Sequence, residues 1–522
     1  MIRGWLACAA LFVFLATPAW AHLGSPDIFF DGNVGPYPAR ITIRMPTVVP
    51  GRAEIIVQTQ AAQSLEVSFL PLYSRTAVSN APPPDIGQLV RGETNLYTGD
   101  LWLMSFGAYS IEVKIHGAAS GGSVEIPVTS VAISQLPLPP YLGRLLVALG
   151  ALLVLGGLAV VAGAARDAVL PAGTLPDNRA RWKGRCAGVI TILVAAFVLI
   201  GGMRWWGSEE RAFRQRLRGG AWPDMELAVR TEGSQRILEL TLGKRAFEPN
   251  DPVSLLPDHG KLLHLFLIRE GAADAIGHVH PVRKEGGTFQ VVVPPLPAGR
   301  YRVFCDLTLE SSGMSFTATN SVQIPALPAT ASKIISPEPD TDDSWASYAS
   351  ESVPTATATN AVYVLPGGQR VEWKAHPPLR AHKDAGLRFE VRDAGGNPLP
   401  LEPYMGMISH VAVMRRDGTI FAHLHPMGNF SMAAQGYFQA KMARESGATP
   451  PDDMAGMPVM SGMNMAGMDH SKMGHMMHTL AGTASLISIP YEFPAQGDYR
   501  LWVQFKTGGQ VLTAVFDAAV AP

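Results

Sequence analysis

Between Met454 and His478 the chain reads MAGMPVMSGMNMAGMDHSKMGHMMH, with nine methionines and three histidines in 25 positions. Its sulfurs fall as M-x-x-M from Met454 through Met457 and Met460 to Met463, then continue with Met465 and Met468. His470, Met473, His475, Met476, Met477 and His478 complete the run. Thioethers are soft, uncharged donors that favour Cu(I), while imidazole also accepts Cu(II) and Zn(II). The residues between them are largely Gly, Ser, Asn, Asp and Pro, without an apolar period. An adaptable hydrophobic contact surface, the alternative use of methionine, fits that composition less well than a soft-metal loop.

A second set of candidate ligands recurs. HGKLLHLFLIREGAADAIGHVHP (259–281) lines up with MGMISHVAVMRRDGTIFAHLHP (405–426) with one gap. In that register His264 matches His410, His278 matches His423, His280 matches His425, and His259 matches Met405. Each His-x-His puts two imidazoles on one face of an extended segment, because side chains repeat every second residue. His264 and His410 belong to neighbouring strands and could converge with them on a metal. The structural alternative is a turn whose rings merely hydrogen-bond backbone carbonyls.

Further along, GTFQ (287–290) matches GYFQ (436–439), and LPAGRYRV (296–303) loosely matches FPAQGDYRL (493–501). From Phe289 to Tyr301 the first copy needs 12 residues, whereas from Phe438 to Tyr499 the second needs 61. The Met/His-rich loop, 446–481, therefore reads as an insertion at a hairpin of a complete domain, where extra length costs little.

The compartment follows from the hydropathy pattern. Residues 1–21 read as a signal peptide, with Arg3, an apolar run from Trp5 to Ala16 and an A-x-A site at Ala19–Ala21. Cleavage there leaves His22 first, offering its amine and imidazole together as a Cu(II) chelate; His116, Asp27 and Asp31 could add to it. Leu145–Ala165 and Cys186–Met203 carry no charge and are long enough to cross a bilayer. They predict transmembrane helices over 142–165 and 185–204 around a cytoplasmic loop, 166–184. That loop is enriched in Arg and Lys, while Tyr141, Trp182, Trp205 and Trp206 sit at the interfaces. The expected topology is an inner-membrane protein with two spans and both its N- and C-terminal domains in the periplasm.

With 42 basic and 43 acidic residues, the formal charge of −1 gives no reason to expect nucleic acid as a partner. Of three cysteines, only Cys305 lies outside the leader and the spans, so neither an exported disulfide nor a thiolate metal site is available. Its strand places Cys305 on the face of Tyr301 and Val303, a core position.

Short alternating segments such as AEIIVQ (53–58), RILELTL (236–242) and YRLWVQF (499–505), among abundant Gly and Pro, predict strands throughout the exported parts. Gly107-Ala-Tyr109, Gly299-Arg-Tyr301 and Gly497-Asp-Tyr499 each open such a strand, as at the tyrosine corner of immunoglobulin-like sandwiches. The fold class expected is mainly β, with three immunoglobulin-like β-sandwich domains plus a two-helix transmembrane hairpin. The sandwiches fall at 22–138, 225–328 and 356–522, with 329–355 as a linker.

The sandwich segments bearing the HxHP motifs resemble bacterial exported YtkA-like and FixH-like proteins, a resemblance that implies copper handling or cytochrome oxidase assembly. Met468-Asp469-His470-Ser471-Lys472-Met473 resembles repeats of periplasmic copper-resistance proteins. His22 after A-x-A resembles the mature start of CopC-like copper carriers. The layout of sandwich, two helices and sandwich is similar to the copper-binding subunit of membrane methane and ammonia monooxygenases. The HxH which that subunit pairs with its first histidine is missing from the N-terminal domain here. The expectation is a non-enzymatic, membrane-anchored copper-binding protein taking up Cu(I) or Cu(II) for resistance or for delivery to a copper-accepting membrane or periplasmic partner. The rival readings are a non-metal immunoglobulin-like scaffold and a copper-dependent oxidase component. A multicopper oxidase needs a cysteine flanked by histidines, and Cys305 stands between Phe304 and Asp306.

Overall fold

Alternation in the sequence becomes burial in the structure: in the strand Gly51–Thr59 every second residue is buried. The computed structural model describes residues 22–23, 27–60, 65–118, 120–134, 136–167, 170–171, 173–218, 225–233, 235–243, 254–284, 287–327, 340–356, 361–374, 378–447 and 485–522. The leader expected over 1–21 and the run Met454–His478 lie outside the described residues.

The chain forms two units, one of residues 133–220 and one of residues 1–132 and 221–522. The smaller is a helical hairpin, Pro140–Asp167 and Asn178–Arg218. Both helices are long and apolar enough to cross a membrane. Their large apolar side chains face outward, Leu152 at 66% and Phe197 at 79% exposure, the opposite of a soluble core. They approach through small residues: a Cβ on Gly184 would lie 3.0 Å from the Ala162 carbonyl oxygen. The helices run beyond the expected 142–165 and 185–204 because helix-forming polar residues such as Glu209, Glu210 and Arg211 continue the second past its apolar stretch.

The larger unit is built from three pairs of mainly antiparallel sheets, with parallel pairing only of the short strands His22–Leu23 and Thr355–Ala356 among the described residues. The first sandwich stacks a five-stranded sheet, running from Ile28–Val34 to Gln88–Leu89, on a four-stranded sheet that contains Glu66–Tyr73 and Gly107–His116. The second pairs a four-stranded sheet with a six-stranded one holding His264–Arg269, Ala275–Val279 and Gly299–Leu309. The third repeats that plan, with His410–Arg415, Ile420–Leu424 and Gly497–Thr507 in its six-stranded sheet. The tyrosine device recurs in all three. Tyr301 Oη donates to the Pro297 carbonyl at 2.8 Å and Tyr499 Oη to the Ala495 carbonyl at 2.7 Å, while Ser105 N–H donates to Tyr109 Oη at 3.0 Å. Cys305 is fully buried in the core of the second sandwich.

The two six-stranded sheets use both faces. One face packs on its own four-stranded partner; the other meets the equivalent face of the neighbouring domain. Phe266, Ile268, Ile276 and Phe304 from the second domain meet Ala412, Met414, Phe421 and Trp502 from the third, all buried. Phe304 and Phe421 stack at 4.1 Å with their rings 5° from parallel. Phe266 and Ala412 are equivalent positions of the two sheets, so the two faces carry side chains of different size there. Arg302 and Arg500, equivalent in the two copies, each donate to a backbone carbonyl across the interface, Asp417 and Ala273 respectively.

Two expectations are corrected. The linker 329–355 is part of the fold from Asp340 onward: Ser344–Ser347 pairs with the otherwise open edge strand Ala275–Val279, and Lys261 neutralises Asp340. The match of GYFQ to GTFQ also fails, because Phe289 lies in the strand Thr288–Val292 whereas Phe438 lies in the helix Met432–Ser446. Ser431 caps that helix by accepting from Ala434 N–H at 3.1 Å, and Gly447 ends it with φ 72°. The true counterpart of Thr288–Val292 is Leu486–Ile489, which pairs with Leu387–Arg392 as Thr288–Val292 pairs with Gln235–Leu242. The insertion thus opens with a helix, whose Phe438 packs against Leu72 and Ala108 of the first sandwich.

Candidate metal centre

The strand register brings each triad together. Phe266 lies opposite His278 across the pair His264–Arg269 and Ala275–Val279, which leaves His264 and His280 on the same face at its end. In the third domain Ala412 lies opposite His423, gathering His410 and His425 in the same way. His264, His278 and His280 can each offer one ring nitrogen within 4.8 Å of the others, as can His410, His423 and His425. All but His423 are buried outright. Each set could hold a metal ion.

Because the two sheets pack face to face, the triads form one cluster. Ring centroids of His264 and His423 are 5.4 Å apart, as are those of His278 and His423. His259 joins them, 4.9 Å from His425 and 5.5 Å from His410.

The hydrogen bonds fix the tautomers. His264 Nε2 lies 3.1 Å from the Asp258 carbonyl and His278 Nδ1 lies 2.9 Å from Gln504 Oε1. Both partners accept, so both of these nitrogens carry the proton. Tyr404 Oη, which donates to the Asp342 carbonyl at 3.0 Å, lies 3.4 Å from the same His278 Nδ1 and can only accept from it. The inner nitrogens, His264 Nδ1 and His278 Nε2, are therefore both bare and face each other at 3.3 Å. The third domain repeats this. His410 Nε2 donates to the Tyr404 carbonyl and His423 Nδ1 to Asp306 Oδ2, each at 3.1 Å, leaving His410 Nδ1 and His423 Nε2 also 3.1 Å apart. His280 Nδ1 donates to Asp343 Oδ1 at 3.0 Å, and its Nε2, like His425 Nε2, is buried without a partner.

Two lone pairs pointed at each other repel unless a cation stands between them, and a buried proton is disfavoured. Burial first, then the neighbouring imidazoles, hold His264, His278, His410 and His425 well below the ordinary histidine range. Two imidazole nitrogens on one tetrahedral ion with metal–nitrogen bonds of about 2.0–2.1 Å are about 3.3 Å apart, close to both observed separations. Outward N–H groups held by carbonyl or carboxylate oxygens, with bare nitrogens converging inward, are the support that metal-ligating histidines use. The residues fit an ion.

Support crosses between domains. Asp306 of the second domain holds His423 of the third, and Gln504 of the third holds His278 of the second. Asp306 and Gln504 are equivalent positions, facing His264 and His410 in their sheets. Thr317 Oγ1 donates to the other Asp306 oxygen at 2.6 Å, so the carboxylate is fixed on both sides.

The remaining candidates are placed elsewhere. His22 and Leu23 extend the third domain's sheet beside Ile420 and Phe421, while His116 ends a strand in the first sandwich, exposed. The two are not brought onto one sheet. Asp31 is engaged by Arg40 and Asp27 accepts from Met45 N–H. Sequence reasoning did not find His259, Asp258, Asp306, Asp343 or Gln504 as members of the site; the alignment of His259 with Met405 was the available signal for the first.

The fold and the cluster define a class: a mainly β protein of three sandwiches with a helical hairpin and a histidine cage between two of them. A family model described as a domain of unknown function, DUF8832, matches residues 363–448 and 466–522, which includes the third-domain triad. No curated protein matches the sequence. Among solved structures, Salmonella alpha-2-macroglobulin reacted with methylamine is similar over 96% of this chain and 24% of its own, at 10% identity and TM-score 0.18. A Corynebacterium diphtheriae protein described as membrane anchored is similar over 95% of this chain and 96% of its own, at 8% identity and TM-score 0.14. A chimeric titin Z1Z2 carrying a decorin peptide covers 57% of this chain and 98% of its own, at 10% identity and TM-score 0.11. At such scores these likenesses carry no argument about function.

Proposed function

We propose that the protein is a membrane-anchored periplasmic copper-binding protein, which takes up Cu(I) or Cu(II) at the histidine cage and passes it to, or withholds it from, a membrane partner. The observation that carries metal binding is the pair of bare, converging nitrogens in each triad. Copper is favoured by composition: the nine methionines of the adjoining insertion are soft donors suited to Cu(I), and imidazoles accept Cu(I) and Cu(II) alike. Anchoring is favoured by the two outward-facing apolar helices, and periplasmic placement by the leader and the basic loop between the spans.

The reading is tested by metal analysis of the full chain purified in detergent, as isolated and after loading with Cu(I), Cu(II) or Zn(II). At least one tightly held copper per chain is expected, and a chain that holds none refutes it. Replacing 448–484 by a short Gly/Ser linker should lower Cu(I) stoichiometry while leaving Cu(II) at the cage, because the thioethers go and the imidazoles stay. Unchanged Cu(I) uptake would make the methionines a contact surface instead.

Orientation has its own test. Reporter fusions after residues 130 and 230 should both read as periplasmic, and one near residue 175 as cytoplasmic. A cytoplasmic signal at 230 would remove the exported setting.

One observation favours a second reading, a copper-dependent oxidase component: two three-histidine sets face each other within one cage. Oxygen consumption by the copper-loaded protein with an added reductant distinguishes it from a carrier.

A further inference from the structure

We infer that His259, carried on a turn of the second domain, is the fourth ligand of the third domain's triad, so that this centre is built from both domains. The inference rests on the metal reading above and concerns a residue outside both triads.

His259 belongs to the tight turn Asp258–Lys261, in which each end residue's N–H donates to the other's carbonyl. Its two central residues, His259 and Gly260, both have positive φ, 51° and 78°. Such turns favour Asn-Gly or Gly-Gly, and most side chains are strained in the left-handed region. The sister turn, Tyr404–Met407, has the same closure and the same conformation, with Met405 at 50° and Gly406 at 78°. Neither copy uses the residue the turn itself would prefer. Both place a metal-competent side chain there and bury it, His259 and Met405 alike.

Where the His259 ring goes is specific. It lies nearer to His425 and His410 of the third domain, at 4.9 and 5.5 Å, than to His264 of its own domain at 6.1 Å. Its Nε2 is buried without a hydrogen-bond partner. Five of the six triad rings hold a proton outward on an acceptor and turn the other nitrogen inward. His259 Nε2 and Asp258 Oδ1 are both buried atoms without a hydrogen-bond partner, and they stand 3.6 Å apart. His425 Nε2, on the ring nearest to His259, is likewise buried without a partner, and a bound cation would satisfy these atoms.

A fourth ligand from the neighbouring domain makes the two centres unequal. The third domain's triad gains an imidazole and rests on the Asp306 carboxylate; the second domain's triad rests on the neutral Gln504. The position equivalent to His259 holds a thioether. A borderline divalent ion prefers the first donor set, and Cu(I) accepts either.

The test uses the full chain in detergent, titrated with Zn(II) alone and Cu(II) alone against a competing chelator. His259→Met is the informative variant, since the sister turn already carries Met in this conformation; His259→Asn, suited to a left-handed turn, is the second. Loss of an outer partner costs 10–100-fold in metal affinity, so loss of a ligand should cost at least about that much. Wild type should bind two equivalents, and His259→Met should weaken one by that factor while leaving the other unchanged. Electron spin-echo spectroscopy of the bound Cu(II) should count one imidazole fewer at the weakened centre. Wild-type titration curves from both variants would overturn the assignment, as would equal weakening of both centres. A wild type that binds no metal would instead sink the functional reading itself.

Discussion

Changing all six cage histidines, His264, His278, His280, His410, His423 and His425, to Ala should remove the metal response of the protein's stability. A ligand that binds only the folded state stabilises it by about 4 kcal/mol when present at about a thousand times its dissociation constant. Wild-type protein should show that increment for copper in denaturant unfolding. The six-fold variant should show none, because every converging bare nitrogen of the triads is gone. Triads changed one at a time should each abolish one equivalent. The variant also leaves cavities and removes the histidine donors of Asp306, Asp343 and Gln504, so its metal-free stability falls as well, and the readout is the copper increment measured within each protein. Copper stabilisation that survives in the six-fold variant would place the ion elsewhere.

Metal-free protein should lose stability steeply as pH falls below about 6.5. The sign follows from burial. His259, His264, His278, His410 and His425 are held below the ordinary value of 6.5, chiefly by burial, so below that pH the unfolded chain binds protons that the folded chain refuses. Stability is complete above the unfolded value and falls as pH drops toward the depressed folded values, by up to about 1.4 kcal/mol per pH unit for each ring. Denaturant midpoints measured at pH 7.5, 6.5 and 5.5 should therefore fall slightly over the first step and sharply over the second. The six-fold Ala variant, which keeps only His259 of these five rings, should show a much shallower fall. A wild-type profile equally shallow down to pH 5.5 would mean that water reaches these rings.

Much of this was legible in the residues. Alternating segments, the Gly-x-Tyr openings and two uncharged runs follow local rules, and the mainly β fold with its helical hairpin follows those rules too. The triads were legible because His-x-His followed by Pro marks one face of a strand end. Their union was not, since nothing local says which sheet faces will meet. One clue was present: HLFLIR and HVAVMR are apolar without alternation, the mark of strands buried on both faces. Reading those runs as two-sided would have demanded a second partner sheet for each domain. Asp306 and Gln504 were illegible for the same reason, as each serves a ring more than 100 positions away in the chain. The Phe438 helix was misread because its four-residue match to a strand outweighed the Ser431 cap before it.

The exchange of Asp306 for Gln504 across the interface also bears on ancestry. Each repeat keeps its own three rings but borrows the residue that aims one of them. Neither repeat, expressed by itself, would have an oriented set. A chain holding one copy of this sheet face could complete the same cage only by pairing with itself about a two-fold axis. Fusion of two such chains would free the copies to diverge at 259/405 and 306/504, where identical subunits must stay alike. With each copy dependent on the other's side chain, deletion of either would disorient a ring in both, which would hold such a duplication in place.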